Sequence, residues 1–186
     1  MTKSDKNSHN SDFIEKLHNP ATQSAAFSTI VREYSERLYW HIRRLALTHD
    51  DTNDILQNTF IKAWNNIDKF RGDSQLLTWL YRIATNETLT YIGRKQIETV
   101  SLDSDEGSVA NELESDPLFS GTHADALFHE AINRLPEKQR LIFNMRYFED
   151  MKYEEISEIL DTTIGALKAS YHIAVKKIEE YVSSKD

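Results

Sequence analysis

The sequence contains no cysteine, which excludes disulfide staples and thiolate metal sites and fits a reducing compartment. Five glycines and three prolines in 186 residues leave little to interrupt a helix, while Leu, Ile, Ala, Glu and Lys, which propagate one, are plentiful. An all-α fold is expected, without sheet. No uninterrupted apolar run is long enough to cross a bilayer, and Met1 to Asp12 lacks the apolar core of a secretory signal. The expectation is a soluble, cytoplasmic protein. Glycine-rich phosphate loops and nucleophile elbows are absent, so nucleotide hydrolysis and acyl transfer find no support. The seven histidines show no metal spacing, His41 and His49 being eight apart and His123 and His129 six. The run Asp103 to Gly107 is only faintly like a calcium loop, because its glycine comes too early. These absences lead us to expect no metal, no cofactor, no small-molecule substrate and no enzyme.

What is present divides the chain. A net charge of −8 argues against nucleic acid, since phosphate binders usually carry a basic surplus. Its distribution weakens that objection. From Glu98 to Glu130 there are nine acidic residues and no basic one, whereas Pro20 to Ile97 carries ten basic against eight acidic, and Ala131 to Asp186 nine against ten. The deficit therefore belongs to one acidic stretch, and neither flank is strongly basic, so tight DNA binding by the chain alone is not expected. The stretch around SLDSDEGSVANELESDPLFSGT has no sustained periodicity, which describes a solvated linker. The expected organisation is a mobile polar tail over 1–19 with a helix starting near Ala21, a helical domain over 20–97, an acidic flexible linker over 98–123, and a second small helical domain over 124–186. Trp40, Trp64 and Trp79 all fall in the first domain and mark the larger core. In the second, Leu135-Pro136 places a proline where a helix can begin.

Within TNDILQNTFIKAWNNIDKF, Leu56, Phe60, Ala63, Trp64 and Ile67 recur at helical steps and predict the core stripe. Asp54, Gln57, Asn58 and Ile61 then lie on another face, which spacing alone reads as solvated surface. In the second domain, Tyr153 to Leu160 predicts a short amphipathic helix, Asp161 and Thr162 a tight turn, and Thr163 the cap of a helix from Ile164 to Tyr181. This local pattern suits a DNA-binding helix-turn-helix and an ordinary helical hairpin equally.

The wider text is more specific. D-I-L-Q-N-T-F-I-K-A-W at Asp54 to Trp64, F-R-G-D-S at Phe70 to Ser74 and T-W-L-Y-R-I-A-T-N at Thr78 to Asn86 resemble the signature block of the extracytoplasmic-function (ECF) sigma factors. L-P-E-K-Q-R-L-I-F at Leu135 to Phe143, Y-E-E-I-S-E-I-L, and G-A-L-K-A-S-Y-H-I-A-V-K-K-I from Gly165 resemble the same family's second domain. The resemblance implies that Asp54, Gln57, Asn58 and Ile61 bind core RNA polymerase. It implies that Phe70, Arg71, Arg82, Asn86, Arg94 and Lys95 meet the minus-ten promoter element, where a base leaves the stack for a protein pocket. Large aromatics dominate small cores, so Trp79 is read as core. For the minus-thirty-five element the implied residues are Thr163, Gly165, Lys168, Ser170 and His172, with Lys176 and Lys177 toward the backbone. Partners implied are core polymerase, promoter DNA and a restraining anti-sigma factor, commonly membrane-embedded. In the family the linker threads a basic polymerase channel, and its carboxylates, among them Asp103, Asp105, Glu106, Glu112 and Glu114, would imitate a phosphate chain.

The sequence departs from its apparent relatives at several places. Thr90 and Gly93 stand where many carry aspartate and arginine. Ala166, Ala169 and Ser170 occupy recognition-helix positions often held by threonine, serine and arginine, removing a guanidinium. Asp161 replaces the usual turn glycine, which Asp tolerates because it visits the left-handed region readily. Two rival readings remain open at this point: a conventional helix-turn-helix regulator that binds duplex DNA unaided, and a helical adaptor that binds only proteins.

Overall fold

A computed structural model describes residues 13–45, 48–70, 75–101 and 123–185, with side chains described for all of these except 96–101 and 123. Every regular element among the described residues is helical. The chain forms two compact units, the first closing at Tyr91 and the second opening at Ile92.

The first unit starts earlier than the sequence suggests. Residues 13–18 are already helical, and Leu17 is fully buried, so part of the expected polar tail belongs to the core. The Thr22 hydroxyl donates to the Lys16 carbonyl at 2.9 Å and ties this turn to the next helix. Helix α1 (Gln23–Arg43) buries Ala26, Ile30, Leu38 and Ile42, and each large aliphatic taken out of water contributes about 1.5–3 kcal/mol. Helix α2 (His49–Asn65) begins where Thr48 accepts the Asp51 N–H at 3.1 Å, with Asp50 and Asp51 favourably placed at the positive end of the helix dipole. A single 3₁₀ turn (Ile67–Lys69) buries Ile67 and leads into Phe70. Helix α3 (Leu76–Ser101) supplies Leu80, Tyr81 and Ala84 to the core and runs past Ile97 into the stretch assigned to the linker.

The core stripe of α2 is rotated from the predicted one. Ala63 and Ile67 are buried as expected, but Leu56 and Phe60 are only half-buried and Trp64 is 39% exposed. Thr52, Ile55 and Thr59 take the inward positions. The threonines accept burial because each hydroxyl donates back to its own helix, Thr52 to the Thr48 carbonyl at 2.7 Å and Thr59 to the Ile55 carbonyl at 2.8 Å. Thr88 in α3 does the same to Ala84 at 2.8 Å. Phe60 and Trp64 instead hold Phe27 of α1 edge-on, at centroid distances of 6.4 and 5.0 Å.

The second unit contains α4 (His123–Asn133), α5 (Glu137–Tyr147), α6 (Tyr153–Leu160) and α7 (Ile164–Ser183). Pro136 stands at the N-cap of α5, one place before the first helical residue. Ala131, Ile132, Leu135, Phe143, Ala174 and Ile178 form the core. Phe143 gives it an aromatic centre, stacked on Tyr171 of α7 at 5.7 Å and, toward the surface, on the exposed Tyr147 at 5.2 Å. The distribution of tryptophan alone points away from so aromatic a second core.

Candidate nucleic-acid and protein interfaces

The face predicted on α2 is on the surface. Asp54, Gln57, Asn58 and Ile61 are all exposed, Ile61 by 50%. They sit opposite the buried row Thr52, Ile55, Thr59 and Ala63, so the packing that hides one row presents the other. Trp64 extends the exposed patch one turn from Ile61, adding an apolar surface that a reading of Trp64 as core misses. The patch carries one carboxylate, two amides and an apolar side chain. Three links fix α2 from its other sides: Lys62 pairs with Glu87 of α3, the Tyr91 hydroxyl donates to Asp51, and Tyr39 bonds His49.

On α3, Arg82 and Asn86 are exposed one turn apart, and the Thr90 hydroxyl donates to the Asn86 carbonyl at 2.7 Å. Behind them Thr85 is buried and bonds His41 of α1 at 2.9 Å. Burial, and secondarily the Arg44 charge, push the His41 imidazole down to about 3, so it is neutral at physiological pH. Arg94 and Lys95 are exposed farther along the same helix. Phe70 is different. It is 4% exposed and packs on Trp79 at 5.2 Å, so its ring belongs to the core. Trp79 itself is half-buried. Arg71 lies outside the described residues, as do the linker carboxylates Asp103, Asp105, Glu106, Glu112 and Glu114.

The turn between α6 and α7 follows its local chemistry. The Lys152 N–H donates to the Glu155 carboxylate at 2.8 Å and closes the front of α6. At its end Asp161 adopts φ 49°, ψ 50°, the left-handed conformation anticipated for it. The Ser157 hydroxyl donates to the Thr162 carbonyl at 2.6 Å, and Thr163 accepts the Ala166 N–H at 3.3 Å to cap α7. Leu167, Ala174 and Ile178 face inward, which turns Gly165, Ala166, Lys168, Ala169, His172, Ile173, Lys176 and Lys177 outward; Thr163 is exposed and Ser170 half-buried. The Lys168 ammonium lies 5.7 Å over the Tyr153 ring, Lys176 is 3.7 Å from Glu180, and Lys177 donates to Gln139 at 3.1 Å. Among the described residues no cluster of three or more His, Asp or Glu is arranged to hold a metal ion, and no helix is long and apolar enough to cross a membrane.

Residues 30–97 match the family model of Sigma-70 region 2, and residues 125–178 that of Sigma-70, region 4. The ECF RNA polymerase sigma-E factor of Haemophilus influenzae is 30% identical over 168 residues, covering 84% of this chain and 87% of its own. The chain belongs to the ECF sigma factors. The sigma-E factor of Escherichia coli K12 is likewise 30% identical, over 166 residues, covering 84% of this chain and 86% of its own. Two solved structures share the fold. One is CnrH in complex with the cytosolic domain of CnrY, at TM-score 0.69 and 19% identity, covering 94% of this chain and 97% of that one. The other is the sigma factor RpoE of Bartonella quintana in complex with the anti-sigma factor NepR, at TM-score 0.68 and 24% identity, covering 84% and 96%. As an ECF sigma factor, the protein is a transcription initiation factor that directs RNA polymerase to promoters. The α6–turn–α7 element, ambiguous by local pattern, is the helix-turn-helix of its region 4.

Proposed function

We propose that the two units divide promoter recognition, with α2 docking on core polymerase through Asp54, Gln57, Asn58 and Ile61. Next to it, α3 holds the melted minus-ten strand, Asn86 reading an unstacked base edge and Arg82, Arg94 and Lys95 meeting phosphates, with Arg71 in the preceding loop. Phe70 supports this surface from inside the core. Helix α7 enters the major groove of the upstream duplex, using Thr163, Gly165, Lys168, Ser170 and His172 near bases and Lys176 toward the backbone. The observation that supports the reading is that Gln57 and Asn86 are both exposed on two helices of one unit, which the Lys62–Glu87 pair and the Tyr91–Asp51 hydrogen bond tie together.

No bond-making chemistry belongs to this chain in the proposal; polymerase supplies the catalysis. The protein works in the cytoplasm beside polymerase, its domains divided near residues 97 and 124. The acidic linker enters a basic polymerase channel. An anti-sigma factor restrains the chain, as NepR accompanies its fold relative, and it acts by covering the faces just named.

The test is equilibrium binding of labelled full-length protein to sigma-free core. Gln57→Ala with Ile61→Ala is expected to weaken binding at least about tenfold, the range of a central interface pair, with thermal unfolding unchanged. Asn86→Ala is expected to leave core binding intact while reducing open-complex formation. Full core affinity in the double variant would move the docking face elsewhere.

A further inference from the structure

Helix α7 presents an apolar side chain where a DNA-reading helix would ordinarily place a hydrogen-bonding one. Ile173 is 45% exposed. The other large apolar residues of this helix behave differently: Leu167 and Ile178 are buried, and Tyr171, Val175 and Val182 pack against the core. Ile173 lies four residues after Ala169 and seven after Ala166, so the three share the outward side, and all three are exposed. Two cations flank this face, and a third, Lys176, stands on it one turn beyond Ile173. Lys168 leans over Tyr153 on α6, Lys177 is held by Gln139 on α5, and Lys176 faces Glu180. Between Lys168 and Lys177, and before Lys176, the outward face offers His172, Ile173 and the methyl groups of two alanines.

Gly165 adds an independent clue about approach. A Cβ built there meets nothing within 4 Å, and its φ is not positive, so neither packing nor backbone conformation requires glycine. Glycine in a helix costs stability relative to alanine. Its presence suits a helix front that another molecule's backbone approaches closely.

From these we infer that Ile173 is a base-reading residue that selects thymine through its C5-methyl group in the upstream duplex. The inference rests on the reading of α7 as the groove helix. In the major groove, guanine, cytosine and adenine present hydrogen-bonding edges opposite this position, and an isoleucine can satisfy none of them. Thymine alone presents an apolar group, and placing it against Ile173 removes apolar surface of both from water. With Ala166 and Ala169 leaving room, the side chain reaches the groove floor without competition from a longer neighbour. The upstream element should therefore be read here by apolar contact in place of a guanidinium-guanine pair.

The experiment uses holoenzyme reconstituted from core and the full-length chain, selected on duplexes randomised upstream of a fixed minus-ten element. Thymines in the selected element are then replaced singly by deoxyuridine, which removes only the methyl group. For the wild type, one such replacement should lower affinity about fourfold, the value of one buried methyl. Ile173→Ala should bind thymine and deoxyuridine equally at that position, and Ile173→Arg should shift its preference to guanine. The exposed site predicts unchanged thermal unfolding for both variants. If Ile173→Ala retains every base preference and every deoxyuridine penalty, the assignment of Ile173 is overturned while α7 remains the reading helix. Loss of core binding in Ile173→Ala without DNA would overturn it in favour of protein docking. A wild-type holoenzyme with no upstream preference at all would overturn the groove reading of α7 together with this inference.

Discussion

His41 of α1 and Thr85 of α3 are joined by a 2.9 Å hydrogen bond between Nε2 and Oγ1, and both residues are 1% exposed. Tyr81 closes the same space, its ring edge-on to the imidazole at 4.9 Å. Thr85 immediately precedes Asn86, so this buried contact sets the rotation of α3 that faces Asn86 outward. The relationship links the core of the first unit to its proposed DNA surface.

It also predicts a pH dependence. The unfolded imidazole takes up its proton near 6.5, whereas burial, aided by Arg44, delays uptake in the folded protein to about 3. The unfolded state thus binds more protons between those values, and stability falls as pH falls through that window. The group's contribution is complete well above 6.5 and is lost progressively as pH falls from there toward 3. His41→Gln keeps a hydrogen-bonding group without titrating there, so its stability should vary less steeply over the same window in urea unfolding. Parallel curves for variant and wild type would contradict this.

The turn before α7 makes a second prediction. Asp161 is held at φ 49°, a conformation in which a β-branched side chain is strained, so Asp161→Val should cost about 1–2 kcal/mol. Thr163→Ala removes the acceptor for the Ala166 N–H and should cost about 1 kcal/mol. Thermal unfolding of the second unit, followed by tyrosine signals near Tyr153 and Tyr171, checks both. An Asp161→Val protein as stable as wild type would show that the turn relaxes.

A third concerns Gly93, which lies inside α3 with open space where a side chain would begin: a Cβ added there meets nothing within 4 Å. Gly93→Ala should raise helix stability by about 0.5–1 kcal/mol, read as a higher urea midpoint at unchanged slope. A lower midpoint would mean that the added methyl is not accommodated.

Local chemistry made the two helices and their turn legible, though not their DNA-binding role: Tyr153–Leu160 matches its predicted bounds, and Asp161 and Thr163 perform the turn and cap that their side chains suggest. The exposed face of α2 was legible for a similar reason, since Asp54, Gln57 and Asn58 have nothing to gain from burial without partners. The buried stripe was not, because a polar-apolar pattern counts Thr52 and Thr59 as surface residues, and only the structure shows their hydroxyls satisfied within the helix. Phe70 escaped for the opposite reason. Motif position suggests a nucleic-acid contact, whereas its burial depends on Trp79, nine residues away, through a fold that spacing alone does not specify. Leu17 was missed although Phe13, Ile14 and Leu17 stand at helical steps, because one apolar turn inside a stretch otherwise rich in Ser, Asn, Lys and Asp was outweighed by its composition.

The central claim is that one unit binds polymerase and promoter through separate faces of adjacent helices. Its most direct test adds the purified protein to sigma-free core polymerase on fragmented genomic DNA and sequences the 5′ ends of the transcripts. The account predicts defined start sites that share upstream elements and that disappear in folded Gln57→Ala and Asn86→Ala proteins, the first through lost core binding and the second through lost opening. Core binding without promoter-dependent starts, or DNA binding without polymerase, would contradict it.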